Sequence, residues 1–415
     1  MMMMMMMMKF LMMMRMMVRI MELACSYIYL FWLNTEACYS GWFGDNCQYQ
    51  CHCAESTPCN QDGSCNAGCS ENWFGPACQY DSVSYQANDV GWLLDKDDRT
   101  CNDGSTSTIH VTLDTAIPIT WVRVVFNDAD SIDKIRLFYT PQNSRSAEYC
   151  PDKRKAQVDD KTVDISCQTS VVAEELALDG DGVRHLCSLY ISGGRNVALK
   201  QTAEQSSTYE LGTDKWNAKN AVDGRTGVSY RSMISRTCTH TDSEAGPGWW
   251  KLKFSSAVDI SRFLIYNRDE NCCRIRLKNF KLTAEPENRS DIPFTYTDSE
   301  SSAKVVYSVV PSPKISFKVT EIRVDVSSSE THIILTLCEV FVFGEIHCPP
   351  GQFGFKCERQ CNCMNGDSCF VHSGGCPSGC ASGYVGEDCS GLFLNYCGKH
   401  NYYPYRYCCY LFYFY

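Results

Sequence analysis

The sequence predicts a mostly β, extracellular protein in which two antiparallel β-sandwiches stand between disulfide-rich modules. Three observations predict it. The 415 residues include 28 cysteines, a density that belongs in an oxidising compartment rather than among the reduced thiols of the cytosol. Those cysteines cluster at the two ends, leaving only eight in residues 79–347. Between the ends, β-rich runs of period two alternate with Asp, Gly, Ser and Pro turns, and no long amphipathic helix interrupts them.

The end clusters share one spacing. Cysteines 38, 47, 51, 53, 59, 65, 69 and 78 are separated by 8, 3, 1, 5, 5, 3 and 8 residues. Cysteines 348, 357, 361, 363, 369, 376, 380 and 389 are separated by 8, 3, 1, 5, 6, 3 and 8. Agreement of seven gaps within one residue marks a repeat. The repeat extends to Gly41-Trp-Phe-Gly44, Asn72-Trp-Phe-Gly75, Gly351-Gln-Phe-Gly354 and Gly383-Tyr-Val-Gly386, where an anchor ring sits in a tight turn. Zinc would want C-x2-C pairs or Cys/His clusters, which these spacings do not supply.

The strands of the core include 108–113, 119–126, 263–266, 317–326 and 333–337. The core also looks duplicated: Arg99-Thr-Cys101 is echoed by Arg236-Thr-Cys238, and Leu186-Cys-Ser-Leu-Tyr-Ile-Ser-Gly193 by Leu337-Cys-Glu-Val-Phe-Val-Phe-Gly344. The echo predicts equivalent bridges Cys101–Cys187 and Cys238–Cys338, each tying an early loop to a last strand. Cys150 and Cys167 are then left to pair in the first half. Neighbouring Cys272 and Cys273 would more often take separate partners, but the other bridges leave these two for each other.

The end blocks, 38–80 and 348–390, resemble EGF-like modules of the laminin-like kind found in multiple-EGF-domain, scavenger-receptor-like proteins. The resemblance implies Cys38–Cys47, Cys51–Cys59, Cys53–Cys65 and Cys69–Cys78, with Cys348–Cys357, Cys361–Cys369, Cys363–Cys376 and Cys380–Cys389 in the second block. Such modules bury little apolar surface, so each bridge contributes roughly 2–4 kcal/mol to their stability, and they commonly serve as rigid spacers. Neither block carries the Asp/Asn–Glu run that precedes the first cysteine of calcium-binding EGF modules.

Residues 194–347 resemble the F-type lectin (fucolectin, tachylectin-4/pentraxin-like) domain, a galactose-binding-like jelly roll that binds fucose. The motifs run in order: Asn196-Val-Ala-Leu-Lys-Gln-Thr-Ala-Glu-Gln-Ser-Ser207, Asn220-Ala-Val-Asp-Gly224, Cys238-Thr-His-Thr241, Trp249-Trp250, Asn267-Arg268, Cys272-Cys273, Arg276-Leu277 and Leu337-Cys-Glu-Val340. Residues 82–193 read as a degenerate galactose-binding-like copy without a sugar site. They lack the histidine, the paired cysteines and the paired arginines. Their acidic cluster Asp95-Lys-Asp-Asp98 reads as a solvated turn before it reads as a metal site.

The lectin resemblance places sugar-binding roles on His240, Arg268 and Arg276, and a flat, polarisable surface on a Cys272–Cys273 disulfide. Fucose offers hydroxyls, a ring oxygen and one methyl, so a site needs fixed donors beside a small apolar patch. Arginine supplies a rigid fork of five donors and imidazole one more. The sequence departs from the family pattern R-x-D-C-C-x-x-R: it reads Arg268-Asp-Glu-Asn-Cys-Cys-Arg-Ile-Arg276, one residue longer, with Asn271 where Asp is expected. Gly248 also splits the family's Pro-Trp-Trp. An insertion can move a guanidinium by several ångströms, past a tolerance of about 0.5 Å. The alternative is therefore a sandwich that keeps the fold but binds weakly or takes another glycan.

The same resemblance implies one structural calcium, held by Asn220, Asp223, Arg225, Thr237, Cys338 and Glu339. Oxygen ligands with several main-chain carbonyls suit calcium; Arg225 would contribute only its carbonyl. The bland reading is an ordinary Asp-Gly turn and a strand glutamate. Asn288-Arg-Ser290 is a glycosylation sequon in a polar loop.

Net charge is −10 without a basic stripe, which argues against nucleic acid. No nucleophile elbow, H-E-x-x-H helix or phosphate loop occurs, so no catalytic residue and no enzymatic activity are expected. Residues 1–37 read as a signal peptide, with Met21 a better start than the poly-methionine run before it. No segment reaches the ~18 apolar residues of a membrane span. The aromatic segment 391–415 breaks the cysteine spacing and reads as translated non-coding sequence after a truncated receptor gene; Cys397, Cys408 and Cys409, unmatched by the spacing, lie in it. Two functions compete. One is a secreted or receptor-borne protein that recognises fucosylated or other glycans, similar to molluscan proteins that mix EGF repeats with F-type lectin domains. The other is an adhesion or matrix module that binds cell-surface or matrix proteins.

Overall fold

The computed structural model describes residues 38–88, 90–150, 154–167, 171–227, 237–243, 246–326 and 333–392. The expected signal peptide and nearly all of the aromatic segment lie outside them. The described residues are mostly β; the single α-helix among them spans four residues, Gly91–Leu94. None of their helices is long and apolar enough to cross a membrane.

The first sandwich consists of β1 (Thr108–Pro118), β2 (Val122–Phe126), β3 (Arg136–Pro141), β4 (Arg154–Asp159), β5 (Thr162–Ser166), β6 (Val172–Asp179) and β7 (Leu186–Asn196). One layer orders Tyr85–Gln86, β1, β6, β3 and Glu148–Tyr149. The other begins β4, β5, β2, β7. Strand β1 alternates exposed and buried from Thr108 to Asp114, as one face on a core and one in water requires. The enclosed core contains Ile109, Val111, Val124, Phe126, Leu137, Ile165 and Leu176.

The second sandwich follows with β8 (Thr202–Gln205), β9 (Trp249–Tyr266), β10 (Lys281–Pro286), β11 (Phe294–Thr297), β12 (Val306–Val309), β13 (Val319–Asp325) and β14 (Glu339–Ile346). Strand β9 is 18 residues long and serves both layers. Its first half pairs with β8 and β13; after a register shift between Lys253 and Val258, its second half pairs with β12 and β14. Such an irregularity bends a strand and lets it turn a corner. Trp250, Leu252, Phe263, Ile265, Phe280, Ile322 and Val342 fill the core. Trp250 also donates its Nε1–H to the Ala218 carbonyl at 3.0 Å, which a buried indole requires.

The two sandwiches share one sheet. Residues 193 and 194, where the duplication suggests that one copy ends, lie inside β7. That strand pairs with β2 through Leu186–Ile191 and with β14 through Arg195 and Asn196. Gly194 (φ 96°) makes the crossing feasible, because a Cβ there would fall 2.5 Å from the Gly344 amide. A 13-stranded sheet results.

The end blocks are short hairpins held by bridges Cys38–Cys47, Cys51–Cys59, Cys53–Cys65 and Cys69–Cys78, with the equivalent four from Cys348 to Cys389. The sulfur clusters around Cys51, Cys53 and Cys59, and around Cys361, Cys363 and Cys369, are these disulfides, so they hold no free thiolate for a metal. Rather than standing clear as spacers, both blocks pack on the sandwich junction. Phe74 and Tyr80 join Trp121 in one aromatic cluster. His372 stacks on Trp121 at 3.8 Å and hydrogen-bonds Asp164 at 2.8 Å. Burial alone would raise the Asp164 pKa, but bonds from Arg123 and His372 outweigh it and hold it at about 2. Arg195 pairs with Glu345 at 2.7 Å and lies 4.9 Å from the Phe355 ring.

Candidate functional site

The second sandwich gathers its chemistry at one end, in the loops before β9, after β9 and before β14. Segment 237–241 lies beside 335–338 as an irregular ladder. Thr239 donates its amide N–H to the Leu337 carbonyl at 2.7 Å, and Leu337 returns one to Thr239 Oγ1 at 2.9 Å. Thr241 and Leu335 repeat the exchange at 3.1 and 2.8 Å. The Cys238–Cys338 disulfide closes this ladder across a separation of 100 residues. Gly248 packs beneath it: a Cβ would meet Thr241 Oγ1 at 2.6 Å and the Leu335 amide nitrogen at 2.8 Å. The glycine that departs from Pro-Trp-Trp thus fills a place with no room for a side chain.

His240 is carried on that ladder and is 6% exposed. Its main chain is fixed from both sides: its carbonyl accepts from Tyr209 at 2.9 Å, and its amide donates to the Trp216 carbonyl at 3.4 Å. The ring Nδ1 faces the Thr241 carbonyl at 2.8 Å, and Nε2 faces Arg276 Nη1 at 2.8 Å. A carbonyl can only accept and a guanidinium can only donate, so Nδ1 carries the proton and Nε2 is an acceptor. This corrects the sequence expectation that the imidazole offers an N–H to a ligand. The N–H is spent on the main chain, and the ring instead orients Arg276. Burial, then the Arg276 charge, lower the His240 pKa to about 4, which keeps the ring neutral at neutral pH.

Arg268 and Arg276 flank the Cys272–Cys273 disulfide, which presents Cys272 to solvent and buries Cys273. Arg268 is 3% exposed and pairs through Nε with Glu270 Oε2 at 2.9 Å. Arg276 stays charged against burial first and Arg268 second, both of which lower its pKa. The longer arginine spacing does not pull Arg276 away from His240, because a turn takes up the extra residue. Cys273 and Arg274 both donate amide N–H groups to the Glu270 carbonyl at 2.9 Å. Fully buried Asn267 ties the turn to the Arg274 carbonyl at 2.7 Å and the Lys304 carbonyl at 2.9 Å. Glu270, not Asn271, supplies the carboxylate beside Arg268. Sequence reasoning missed Glu270, although a carboxylate two residues from a buried arginine was a visible signal. It also missed Tyr209, whose ring lies 4.6 Å from His240, and Gln205, whose Nε2 donates to the Trp216 carbonyl at 2.9 Å.

The residues assigned to calcium meet on the other side of the Cys238–Cys338 bridge. Glu339 is completely buried; its Oε1 accepts the Gly224 amide at 3.2 Å, and its Oε2 has no hydrogen-bond partner among the described residues. Burial, then the Asp223 charge, push its pKa well above the ordinary carboxylate value, and burial raises that of Asp223. Asp223 Oδ1 accepts the Arg225 amide at 3.0 Å, and Asn220 Nδ2 donates to the Cys238 carbonyl at 3.1 Å. Thr237 donates its hydroxyl to the Gly227 carbonyl at 3.3 Å. A buried carboxylate with an orphaned oxygen, Glu339, beside the half-buried carboxylate of Asp223 fits a hard cation. In the first sandwich, by contrast, Asp95, Asp97 and Asp98 are occupied by Thr100, Arg99 and Tyr190, as a solvated turn would have them.

Protonating His240 turns Nε2 into a donor facing Arg276. The folded pKa of about 4 lies below the ordinary 6.5, so the unfolded chain takes up the proton first. This ring's contribution to stability is therefore complete above pH 6.5 and lost as pH falls towards 4. Half-buried His52, whose pKa desolvation also lowers to about 4, acts in the same direction. Ligand affinity at the site should be level from pH 8 to about 5.5 and fall through pH 4, measured by calorimetric titration; an affinity that rises on acidification would contradict the assigned tautomer.

This fold defines a galactose-binding-like β-sandwich, whose loop cluster gathers Arg268, Arg276 and a neutral His240 that accepts from Arg276. Consistent with that class, a family model described as "NedA-like, galactose-binding domain" matches residues 220–324. The chain is similar to the lectin domain of lectinolysin complexed with Lewis B antigen: 26% identity over 36% of this chain and 96% of that one, TM-score 0.30. It is similar to the Streptococcus pneumoniae fucose-binding module SpX-3, with 28% identity, 36% and 96% coverage, and TM-score 0.29. A third likeness is to the fucolectin of striped bass (Morone saxatilis) serum, with 18% identity, 62% and 91% coverage, and TM-score 0.29. No curated protein matches the chain.

Proposed function

We propose that this chain is an extracellular, non-catalytic glycan-recognition protein whose second sandwich binds fucose-type sugars. The observation that carries the reading is the 2.8 Å bond from Arg276 to neutral His240, set beside Arg268 and the Cys272–Cys273 surface. Arg276 keeps four of its five N–H donors for sugar oxygens, while the disulfide offers an apolar contact for a methyl group. The galactose-binding match over residues 220–324 supports a carbohydrate ligand. The twelve disulfides from Cys38 to Cys389, with Cys101–Cys187 and Cys150–Cys167 in the first sandwich, support an oxidising, extracellular setting. Asn288, exposed in the turn between β10 and β11, is suited to carry a glycan. A glycan array with and without chelator tests the reading. Binding of fucosylated glycans that His240→Ala removes supports it; a protein partner bound indifferently to free fucose and to Arg276→Ala would favour the adhesion alternative.

Calcium is the second part of the proposal. Asp223 and Glu339 would neutralise it, with Asn220, Arg225, Thr237 and Cys338 contributing oxygens around them, those of Arg225 and Cys338 from the main chain. Bound there, the cation supplies a cross-link between loops and no chemistry. Because Thr237 and Cys338 border the ladder that carries His240, the cross-link would hold the sugar site in shape. Saturating calcium should raise the melting temperature, by roughly 2.7 kcal/mol of stability at a hundredfold excess over Kd. Glu339→Gln should remove most of that rise in differential scanning fluorimetry; a rise unchanged in the variant would remove Glu339 from the ligand set.

A further inference from the structure

A cavity of about 520 Å³ opens where the N-terminal block, the second sandwich and the C-terminal block meet. Its volume lies in the range of small-ligand sites. None of His240, Arg268, Arg276, Cys272 and Cys273 lines it, so it is separate from the site above. Its chemistry is one-sided. The lining contains Arg195, Lys200 and Lys356 but no Asp or Glu. Arg195 is committed to Glu345. Lys200 and Lys356 form no ion pair among the described residues, Lys200 acting on the Asp223 carboxylate only from beyond ion-pair distance, and both are exposed. Lys200 Nζ lies 4.7 Å from the Trp42 ring, and Lys356 Nζ 5.7 Å from the Tyr49 ring.

Three of the four lining glutamines are held in a fixed sense. The side-chain carbonyl of Gln48 accepts the Asn46 amide at 2.8 Å, that of Gln79 the Ala77 amide at 2.8 Å, and that of Gln201 the Ser255 amide at 3.0 Å. Each carbonyl is thereby occupied; the Gln48 side chain also hydrogen-bonds Tyr49, whereas the Nε2 groups of Gln79 and Gln201 have no protein partner among the described residues. Gln48 and Gln79 hold equivalent places, each directly after a cysteine of the repeat, so the repeat itself supplies two of the three. Rings of Tyr49, Trp73 and Phe355 also line the space. Trp73 is stacked on His52 at 3.4 Å, and Tyr49 and Phe355 lie 4.5 Å apart.

Unpaired ammonium groups and amide donors want a ligand rich in acceptors and negative charge. Flat aromatic faces want the C–H face of a ring. We propose that this cavity is a second ligand site, for an anionic saccharide of two or three units bearing a carboxylate or a sulfate. The end blocks are then part of a binding site, since Gln48, Gln79 and Lys356 belong to them.

The test is calorimetric titration of the full chain with sialyllactose, for the carboxylate, and with a sulfated chondroitin disaccharide, for the sulfate. At least one should bind, more weakly as salt rises, and free fucose should not displace it. The double variant Lys200→Gln, Lys356→Gln should weaken binding at least tenfold, and His240→Ala should leave it unchanged. Gln201→Glu keeps the acceptor that holds the Ser255 amide but replaces the donor with negative charge, so it should also weaken binding at least tenfold. Three results would overturn the proposal: neither saccharide binds, binding is unmoved by these variants, or only an acidic pentapeptide binds. Loss of this binding with fucose binding intact, or the reverse, separates the fate of this site from that of the His240 site.

Discussion

Arg276→Ala is expected to weaken fucoside binding at least a hundredfold while leaving the protein folded. The side chain is only half-buried, and its loss opens no cavity in the core. What disappears is the fork of donors that His240 holds in place at 2.8 Å. Charge-assisted hydrogen bonds contribute roughly 1.5–3 kcal/mol each, and two of them account for a factor of a hundred or more. Arg276→Lys should recover only part of the affinity, because an ammonium group cannot both satisfy Nε2 and present a planar fork. Isothermal titration of both variants against methyl α-L-fucoside checks this. Affinity in Arg276→Ala within tenfold of the parent would remove this residue from the site.

The second large effect concerns the bridges. Serine at both Cys238 and Cys338 opens a loop with a sequence separation of 100 residues, for which the chain-entropy estimate is about 4.7 kcal/mol. At roughly 2–4 °C per kcal/mol for a domain of this size, the melting temperature should fall by about 10 °C or more. The damage should also spread to the site, because the bridge joins the His240 ladder to Glu339. Cys272 and Cys273 provide the control. They are adjacent in sequence, so their disulfide constrains the unfolded chain very little. Serine at both should leave the melting temperature nearly unchanged and still weaken sugar binding through loss of the disulfide surface. Calorimetry and titration on the two double variants read these effects separately; equal losses of stability would show that the bridges do not divide in this way.

Much of this architecture was legible in the residues. Cysteine spacing speaks directly because a bridge needs its partners within a fixed reach, and repetition of the spacing exposes the modules. Strands such as β1 were legible because one face of each meets water. The galactose-binding motifs located His240, Arg268 and Arg276 in order along the chain. What escaped was set by contacts between distant segments. Nothing local announces that β7 leaves β2 to pair with β14; it depends on Gly194 and Gly344 approaching each other, and small residues carry no periodic signal. The docking of His372 on Trp121 and Asp164 joins residues more than 200 apart in the chain. The extra residue between Arg268 and Arg276 looked disruptive because spacing alone does not reveal the turn at Glu270 that takes it up. The role of His240 was misread for a similar reason: the acceptor for its proton is the main chain of Thr241, which no side-chain motif records.

The central claim is that neutral His240 and the guanidinium of Arg276 form one sugar-binding unit. The most direct measurement is a heteronuclear NMR titration of the imidazole nitrogens with methyl α-L-fucoside at pH 7. Saturable shifts of His240 Nε2, with Nδ1 remaining protonated and the response absent in Arg276→Ala, are the predicted result. No shift at His240 up to millimolar fucoside, in protein saturated with calcium, would contradict it.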